Sequence, residues 1–367
     1  MLGSGEIMKA LVAMSGGVDS SVAALLTQRL GYECIGATMK LYANAQNDEV
    51  DYGENIKSAC SLSEPEDAKQ VAENLGMPHY IIDFSAEFKQ DVIDRFIHAY
   101  VSGATPNPCV DCNSFLKFGS LYDYAKNLGA EKIVTGHYAR IYHDENSDRY
   151  LLRRAVDSEK DQSYFLYNIP QIKLKDILFP LGEMTKAETR KVAEEAGFIN
   201  AKKKESQDIC FVDKDGYAKF IEKTTMLNYP EGNFVDINGS IVGKHSGLIR
   251  YTIGQRKGLG VAMGRPVYVC EIRPETNEVV LGENEDLYSD SVEIADVNLI
   301  AFSKIIEPLR SEVMIRYNSK PVPAVVSPTE KEGVLSIKFD NPVRAVAKGQ
   351  AAVFYNEDIV IGGGRII

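Results

Sequence analysis

The sequence Ser15-Gly16-Gly17-Val18-Asp19-Ser20-Ser21 lies between an apolar run, Ala10 to Met14, and a helical pattern that begins at Val22. This order predicts a strand, a glycine turn and a helix. Two glycines let the backbone turn tightly so that its N–H groups converge, and the N-terminus of the following helix adds partial positive charge. The turn is therefore predicted to hold phosphate.

The turn lacks the lysine of a Walker A loop, G-x-x-x-x-G-K-[ST], which would contact the terminal phosphates. It resembles instead the PP-loop, SGGxDS, of the ATP pyrophosphatases. These enzymes split ATP between its α and β phosphates and adenylate an oxygen of their substrate. The alternative interpretation is a serine-capped helix after a tight turn.

Strand and helix patterns alternate through the first half of the chain. Strands are predicted at Cys34–Met39, His79–Phe84 and Lys132–Thr135, and helices at 68–75, 86–101 and 114–128. This alternation predicts an α/β fold with a doubly wound parallel sheet. Ligands bind such sheets beyond the carboxyl ends of the strands, where the Ser15 turn and Gly136-His137 are both expected.

The pattern changes further along the chain. Thr185-Lys-Ala-Glu188 is a capping box that predicts a helix ending at Gly197. Beyond about Glu231, short β-rich runs are separated by Gly, Asn and Pro turns, which predicts one or two small antiparallel barrels or sandwiches. These runs are Pro266–Ile272, Val292–Phe302, Val313–Tyr317, Val334–Phe339 and Ala351–Tyr355.

Composition narrows the class of protein. The start of the chain lacks a basic region followed by an apolar one, and no long uncharged apolar run follows, so we expect a cytoplasmic protein without a membrane segment. The net charge of −11 argues against indiscriminate coating of nucleic acid but leaves room for a local basic face. Candidates for such a face are Arg153-Arg154, Lys202–Lys204 and Arg250–Lys257, although a run of this kind, taken alone, is more often solvated surface.

The 6 cysteines are too few for a disulfide scaffold in a chain of 367 residues. Cys109 and Cys112 form C-x-x-C in a predicted loop just before a helix, where the helix N-terminus would lower a thiol pKa. Cys210 follows the triple lysine, whose charge would also favour a thiolate.

The other cysteines carry less information. Cys34 and Cys270 lie within apolar strand patterns and are expected to be packed side chains. Cys60 has no assigned role.

Motifs along the whole chain, in the same order, resemble the tRNA-specific 2-thiouridylase (MnmA/TrmU) family. The motifs are Met14–Ser20, Thr105-Pro-Asn-Pro108 with Cys112-Asn113, Gly136–Arg140, Lys160–Leu166, Ser206–Cys210, Gly254–Gly258 and Gly349–Phe354. The resemblance implies a PP-loop catalytic domain at residues 1–215, a small central domain at 216–283 and a C-terminal antiparallel β-barrel at 284–367 that positions tRNA.

The resemblance also implies ATP-dependent 2-thiolation of the wobble uridine of tRNA. ATP, with Mg²⁺, would adenylate the uracil O2, which is a poor leaving group until it carries AMP. Asp19 would help to position the magnesium, although it could instead be a carboxylate that complements the helix dipole. The residues implied in ATP binding are Ala13, Met14, Ser15, Gly16, Gly17, Val18, Asp19, Ser20, Met39 and Gly136.

The catalytic residues implied are Cys112, the nucleophile, and Cys210, which would carry sulfur as a persulfide delivered by a cysteine desulfurase or a relay protein. Residues implied at the target base or elsewhere on the tRNA are Asn107, Pro108, Cys109, His137, Lys160, Asp161, Gln162, Arg316, Tyr317 and Gln350. His137 could instead be a satisfied core residue. The resemblance implies the anticodon stem-loop as the tRNA element, whose bases are readily splayed into a pocket, and the lysine, glutamate and glutamine tRNAs as substrates.

Cys109 departs from the family pattern, since many members carry Asp at this position. Three thiols, Cys109, Cys112 and Cys210, could hold a [4Fe–4S] cluster with one iron free for sulfide. A structural Zn site would need a fourth ligand. Two further alternatives are an amide-forming PP-loop ligase, for which paired thiols have no use, and a non-catalytic tRNA-binding adaptor.

Overall fold

The computed structural model describes residues 7–42, 63–203 and 209–367. The predicted surface loop at 43–55 and Cys60 lie outside the described residues. The chain forms two compact units, and each is assembled from separated parts of the sequence. The first unit contains the residues up to Val92, Cys109–Asp213 and Asp358–Val360, and the second contains Ile93–Pro108, Lys214–Glu357 and Ile361–Ile367.

The strands are β1 (Lys9–Ala13), β2 (Glu33–Lys40), β3 (His79–Asp83), β4 (Lys132–Val134), β5 (Ala139–Asp144), β6 (Arg149–Arg154), β7 (Ile177–Leu178), β8 (Gly232–Asp236), β9 (Ile241–His245), β10 (Tyr268–Arg273), β11 (Glu278–Gly282), β12 (Tyr288–Leu299), β13 (Leu309–Met314), β14 (Val322–Pro328), β15 (Leu335–Arg344), β16 (Ala351–Asn356) and β17 (Ile359–Ile366).

The α-helices are α1 (Val18–Arg29), α2 (Ser63–Asn74), α3 (Ser85–Phe88), α4 (Arg95–Val101), α5 (Pro108–Asp111), α6 (Leu121–Asn127), α7 (Gln171–Leu174), α8 (Lys186–Glu195) and α9 (Tyr217–Thr225). Two π-helical segments, Lys89–Asp94 and Cys112–Ser120, interrupt longer helical runs.

The first unit is built on a parallel sheet with the strand order β3-β2-β1-β4-β7. Alternate residues of a strand point to opposite faces. Ala10 and Val12 pack in one apolar cluster with helices α1, α2 and α8, while Leu11 and Ile133, outside that cluster, are also fully buried. Both faces of the sheet are therefore covered, which confirms the predicted doubly wound α/β fold.

Two predicted elements differ in detail. The helix predicted at 86–101 starts at Ser85 and contains the π-helical segment Lys89–Asp94. The antiparallel hairpin of β5 and β6 was not predicted. Strand β6 of this hairpin also pairs, through Arg153, with Ile359 from near the end of the chain.

The second unit contains a sheet with the order β10-β11-β8-β9 and a larger antiparallel system. In the latter, the order β12-β15-β14-β13-β16-β17 closes through an additional pairing of β12 with β17. This closure confirms the predicted C-terminal antiparallel barrel. In the described part of the chain, no helix combines the length and apolar character needed to cross a membrane.

Candidate active site

The glycine turn after β1 leaves the start of helix α1 open. Gly16 has φ +75°, in the left-handed region that favours glycine, and Gly17 is the N-cap of α1 without a side-chain capping bond. The Ser20 hydroxyl lies 3.3 Å from the Ser15 backbone N–H and donates to the Gly17 carbonyl at 3.0 Å. The serine-capped interpretation of this turn is therefore wrong, and the first N–H groups of α1 remain available to an anion.

Gly136 lies directly against this turn. A Cβ atom at position 136 would be 2.7 Å from both the Asp19 carbonyl carbon and the Ser20 nitrogen, so only glycine allows this approach. Met39 lies near the carboxyl end of β2, beside the strand that leads into the turn. The structure thus places both residues at the carboxyl edge of the sheet, and their contact with ATP remains a prediction.

Lys186 faces the turn and was not identified from the sequence. Its Nζ atom lies 2.7 and 2.9 Å from the two carboxylate oxygens of Asp19, and its side chain is 12% exposed. The Tyr138 hydroxyl donates to the same Asp19 carboxylate at 3.0 Å. A largely buried cation is therefore held next to a predicted phosphate site.

One signal for Lys186 was present in the sequence. The capping box is formed by Thr185 and Glu188, as predicted, so Lys186 is the first residue of α8. A cation at a helix N-terminus is unfavourable for the helix dipole. Such a lysine needs a compensating partner, and here that partner is Asp19.

Asn200 supports the turn from the other side. It is 3% exposed, and its Nδ2 atom donates to the Gly16 carbonyl at 3.0 Å and to the Ser21 hydroxyl at 2.9 Å. The bond to Gly16 directs its carbonyl oxygen toward Asn200 and away from a bound ligand. No local pattern indicated this role of Asn200, since the contact joins residues 184 positions apart.

Cys109 and Cys112 lie inside a helical run and not in a loop before it. The run begins with α5 at Pro108, whose fixed φ suits the first helical position, and continues through the π-helical segment from Cys112. Cys112 is therefore beyond the first turn, where the helix dipole acts most strongly. Burial raises the pKa of the Cys112 thiol, with Lys117 acting in the opposite direction, so the predicted lowering is wrong for this conformation.

His137 is a buried, neutral histidine. Its Nε2 atom lies 3.3 Å from the Lys117 Nζ, which can only donate, so Nε2 accepts. The Nδ1–H group then donates to the Thr135 hydroxyl at 2.7 Å. Burial, with Lys117, lowers the pKa of His137 well below its usual value. Both ring nitrogens are used within the protein, and the predicted tRNA contact of His137 remains a prediction.

Cys210 is half-buried and in no disulfide, and its sulfur accepts a hydrogen bond from the Tyr42 hydroxyl, with an O–S distance of 3.8 Å. Of the triple lysine, Lys203 pairs with Asp67 at 2.9 Å, and Lys204 lies outside the described residues.

Cys34 is buried in the core as predicted, and burial raises its pKa to about 11. Cys270 is half-buried, and its pKa is also raised to about 11, mainly by burial. Neither environment is that of a reactive thiol.

The described residues do not fit an iron–sulfur or zinc site. Within residues 7–42, 63–203 and 209–367, no three His, Cys, Asp or Glu side chains are grouped so that they could hold a metal ion. Cys109, Cys112 and Cys210 therefore do not form a ligand set in this arrangement.

Lys160, Asp161 and Gln162 lie between the hairpin and the 3₁₀ turn Ser163–Leu166. The Asp161 carboxylate accepts hydrogen bonds from the Ala155 and Ser163 backbones, and Gln162 bonds the Tyr138 backbone through its side chain and its own N–H. Asp161 and Gln162, both predicted to contact tRNA, thus form hydrogen bonds within the protein. Lys160 is half-buried, and its tRNA contact remains a prediction.

The remaining predicted tRNA residues belong to the second unit. Arg316 donates to the Ala345 carbonyl, and Tyr317 beside it is half-buried. Gln350 donates to the carbonyls of Thr105 and Pro106, immediately before Asn107.

All three basic runs are partly neutralised within the protein, since Lys203 pairs with Asp67 and the two arginine-containing runs also have acidic partners. Arg153 pairs with Asp358 at 2.9 Å, and Arg250 pairs with Glu222. These arginines therefore have structural partners in addition to any role in a basic face.

An open, glycine-turned helix N-terminus at the carboxyl edge of a parallel sheet defines a nucleotide-binding α/β protein of the PP-loop class. Family descriptions match nearly the whole chain: "tRNA methyl transferase HUP domain" at residues 8–214, "tRNA methyl transferase PRC-barrel domain" at 218–283 and "Aminomethyltransferase beta-barrel domain" at 289–366.

Curated relatives match over nearly their full length. The protein named tRNA-specific 2-thiouridylase MnmA of Acetivibrio thermocellus is 48% identical over 98% of this chain and 99% of its own. That of Clostridioides difficile is 46% identical over 98% of both chains. The chain belongs to the tRNA-specific 2-thiouridylase (MnmA) family, as its motifs predicted. A solved 4-thiouridine synthetase–RNA complex with bound ATP is 16% identical over 59% of this chain and 50% of its own, and its TM-score of 0.36 is too low to support an inference.

Proposed function

We propose that this protein catalyses the ATP-dependent 2-thiolation of the wobble uridine of tRNA. The observation that carries the proposal is the full-length match to relatives named tRNA-specific 2-thiouridylase, in a chain whose glycine turn leaves a helix N-terminus open. The expected substrates are the lysine, glutamate and glutamine tRNAs.

In the first step, the uracil O2 attacks the α phosphate of ATP, and pyrophosphate leaves. The N–H groups at the start of α1 would bind phosphate oxygens. Lys186 would move from Asp19 to the phosphates, and Asp19 would then be free to hold Mg²⁺. The metal, when bound, would neutralise the departing pyrophosphate.

In the second step, the terminal sulfur of a Cys210 persulfide attacks C2 of the adenylated uridine, and AMP leaves. The Cys112 thiolate then attacks the Cys210 sulfur, which forms a Cys112–Cys210 disulfide and leaves the new sulfur on C2. A thiol reductant supplies two electrons to reopen the disulfide. Neither cysteine is in a disulfide, so Cys210 can accept the persulfide sulfur and Cys112 can then act as the nucleophile.

Burial raises the pKa of the Cys112 thiol, which disfavours the thiolate in the unliganded protein. Activation would therefore accompany substrate binding. A cysteine desulfurase or relay protein would supply the persulfide sulfur.

The test is mass spectrometry of nucleosides from unthiolated tRNA after incubation with the protein, ATP, magnesium, cysteine and a cysteine desulfurase. We expect an oxygen-to-sulfur mass shift on the wobble uridine that requires ATP and is lost in Cys112→Ser and Cys210→Ser. Cys270→Ser is the matched control, because this half-buried cysteine lies in strand β10 and has no role in the proposed reaction. Thiolation that persists in either catalytic variant would exclude the persulfide–disulfide route.

A further inference from the structure

A turn of the C-terminal barrel forms hydrogen bonds with the backbone that precedes the predicted base-binding residues Asn107 and Pro108. The Thr105 N–H donates to the Lys348 carbonyl at 2.7 Å. The Gln350 Nε2 atom donates to the Thr105 carbonyl at 2.8 Å and to the Pro106 carbonyl at 3.2 Å. We call residues 348–350 the clamp turn.

The proline-rich loop depends on such outside donors. Pro106 and Pro108 have no N–H group, so the loop cannot form a regular ladder of its own backbone bonds. The two hydrogens of the Gln350 amide nitrogen meet the two carbonyl oxygens, which fixes the orientation of the amide. This nitrogen is then fully used within the protein.

The clamp turn is itself rigidly held and closely packed. Gly349 has φ +87°, and a Cβ atom there would lie 3.1 Å from both the Ala104 Cβ and the Thr105 oxygen. The Gly349 N–H donates to the Ile366 carbonyl, and the Ile366 N–H donates to the Gln350 carbonyl, each at 2.9 Å. The turn is therefore tied to the last strand of the barrel.

The loop is also confined at Gly103. This residue has φ +72°, and a Cβ atom there would lie 3.0 Å from the Pro274 Cγ and 3.1 Å from the Ile272 Cγ2. The Ala104 N–H donates to the Ala99 carbonyl at 2.9 Å. Residues 103–106 thus enter the base-binding segment along one fixed path.

We propose that the clamp turn positions Asn107 and Pro108 for the target base, with Gln350 as a positioning residue rather than a tRNA contact. This inference rests on the proposed function for the identity of the base pocket. It assigns to the C-terminal barrel a direct part in shaping that pocket, in addition to any binding of tRNA.

Two variants test the clamp, and one serves as control. Gln350→Met removes both donors while keeping the length of the side chain. Gly349→Ala adds only a methyl group, facing residues 104–105. Gly333→Ala is the matched control, because Gly333 lies in the same barrel with φ +75° and has no atom within 4 Å of an added Cβ.

Three quantities are measured on each full-length variant: the single-turnover rate of thiolation, the Kd for unthiolated tRNA and the hydrogen-exchange rate of the Thr105 amide. For Gln350→Met and Gly349→Ala we expect thiolation about tenfold slower or more, a Kd within about twofold of wild type, and Thr105 exchange about tenfold faster. Gly333→Ala introduces a similar backbone strain without any contact to residues 103–106. It should therefore match wild type in rate, Kd and exchange.

The opposite pattern would overturn the inference. Suppose that Gln350→Met raises the Kd for tRNA without changing the thiolation rate, and that Gly349→Ala changes neither quantity. Gln350 is then a tRNA contact. The exchange rate of the Thr105 amide can be measured whether or not the protein thiolates tRNA. An unchanged exchange rate in both variants therefore refutes the clamp even if the proposed function itself fails.

Discussion

Replacing Lys186 by methionine should impair the use of ATP far more than it impairs folding. The variant keeps the volume of the side chain and removes the ammonium group that lies 2.7 and 2.9 Å from the Asp19 oxygens. Asp19 then keeps the Tyr138 hydroxyl as a partner, at 3.0 Å.

Two magnitudes follow from this geometry. Lys186 and Asp19 are 12% and 31% exposed, so solvent screens the pair in part, and its loss should cost about 1–2 kcal/mol of unfolding free energy. A charged hydrogen bond to a phosphate is worth about 1.5–3 kcal/mol. At about 1.4 kcal/mol per factor of ten, kcat/KM for ATP should fall by about 10- to 150-fold.

The assay is tRNA-dependent release of pyrophosphate at varied ATP, combined with thermal unfolding of the same preparations. Lys191→Met is the matched control, since Lys191 lies on the same helix with its side chain 75% exposed and pairs only weakly with Glu195 at 3.9 Å. If the two variants have the same kcat/KM within about twofold, Lys186 does not contact phosphate and this reasoning is refuted.

Three further predictions concern the same unit. Gly136→Ala should sharply raise KM for ATP in the pyrophosphate assay, because its Cβ would lie 2.7 Å from backbone atoms of the phosphate turn; a normal KM would mean that the turn can move away. Asn200→Ala should lower the affinity for a non-hydrolysable ATP analogue, measured by calorimetry, by about tenfold through loss of its bonds to the turn, and an unchanged affinity would contradict this. Thr185→Ala should cost about 1 kcal/mol, or roughly 2–4 °C in Tm, through loss of the capping box; a larger fall in Tm would point to a wider role.

Local patterns were enough to predict the architecture. The glycine turn, the alternating strands and helices, and the capping box at Thr185 each reflect interactions between residues close in sequence, and each is present as predicted. The hairpin of β5 and β6 was missed because its polar sequence, including Arg149 and Arg153, lacks a clear apolar alternation.

The site was predicted less completely, for a physical reason. The bonds of Lys186 to Asp19 and of Asn200 to Gly16 span more than 160 residues, so no local pattern identifies these partners, and the capping box indicates only that Lys186 needs one. The pKa of Cys112 was wrongly predicted because position near a helix start can be read from sequence, whereas burial, which dominates here, cannot.

The interleaving of the two units constrains how the protein can be made. The first unit includes Asp358, near the end of the chain, whose carboxylate pairs with Arg140 at 2.7 Å and with Arg153 at 2.9 Å. During synthesis, these arginines leave the ribosome some 200 residues before their partner. The ATP-binding unit therefore cannot complete its contacts until translation is nearly finished, and a fragment ending at the predicted boundary of 215 would leave both arginines without the Asp358 carboxylate.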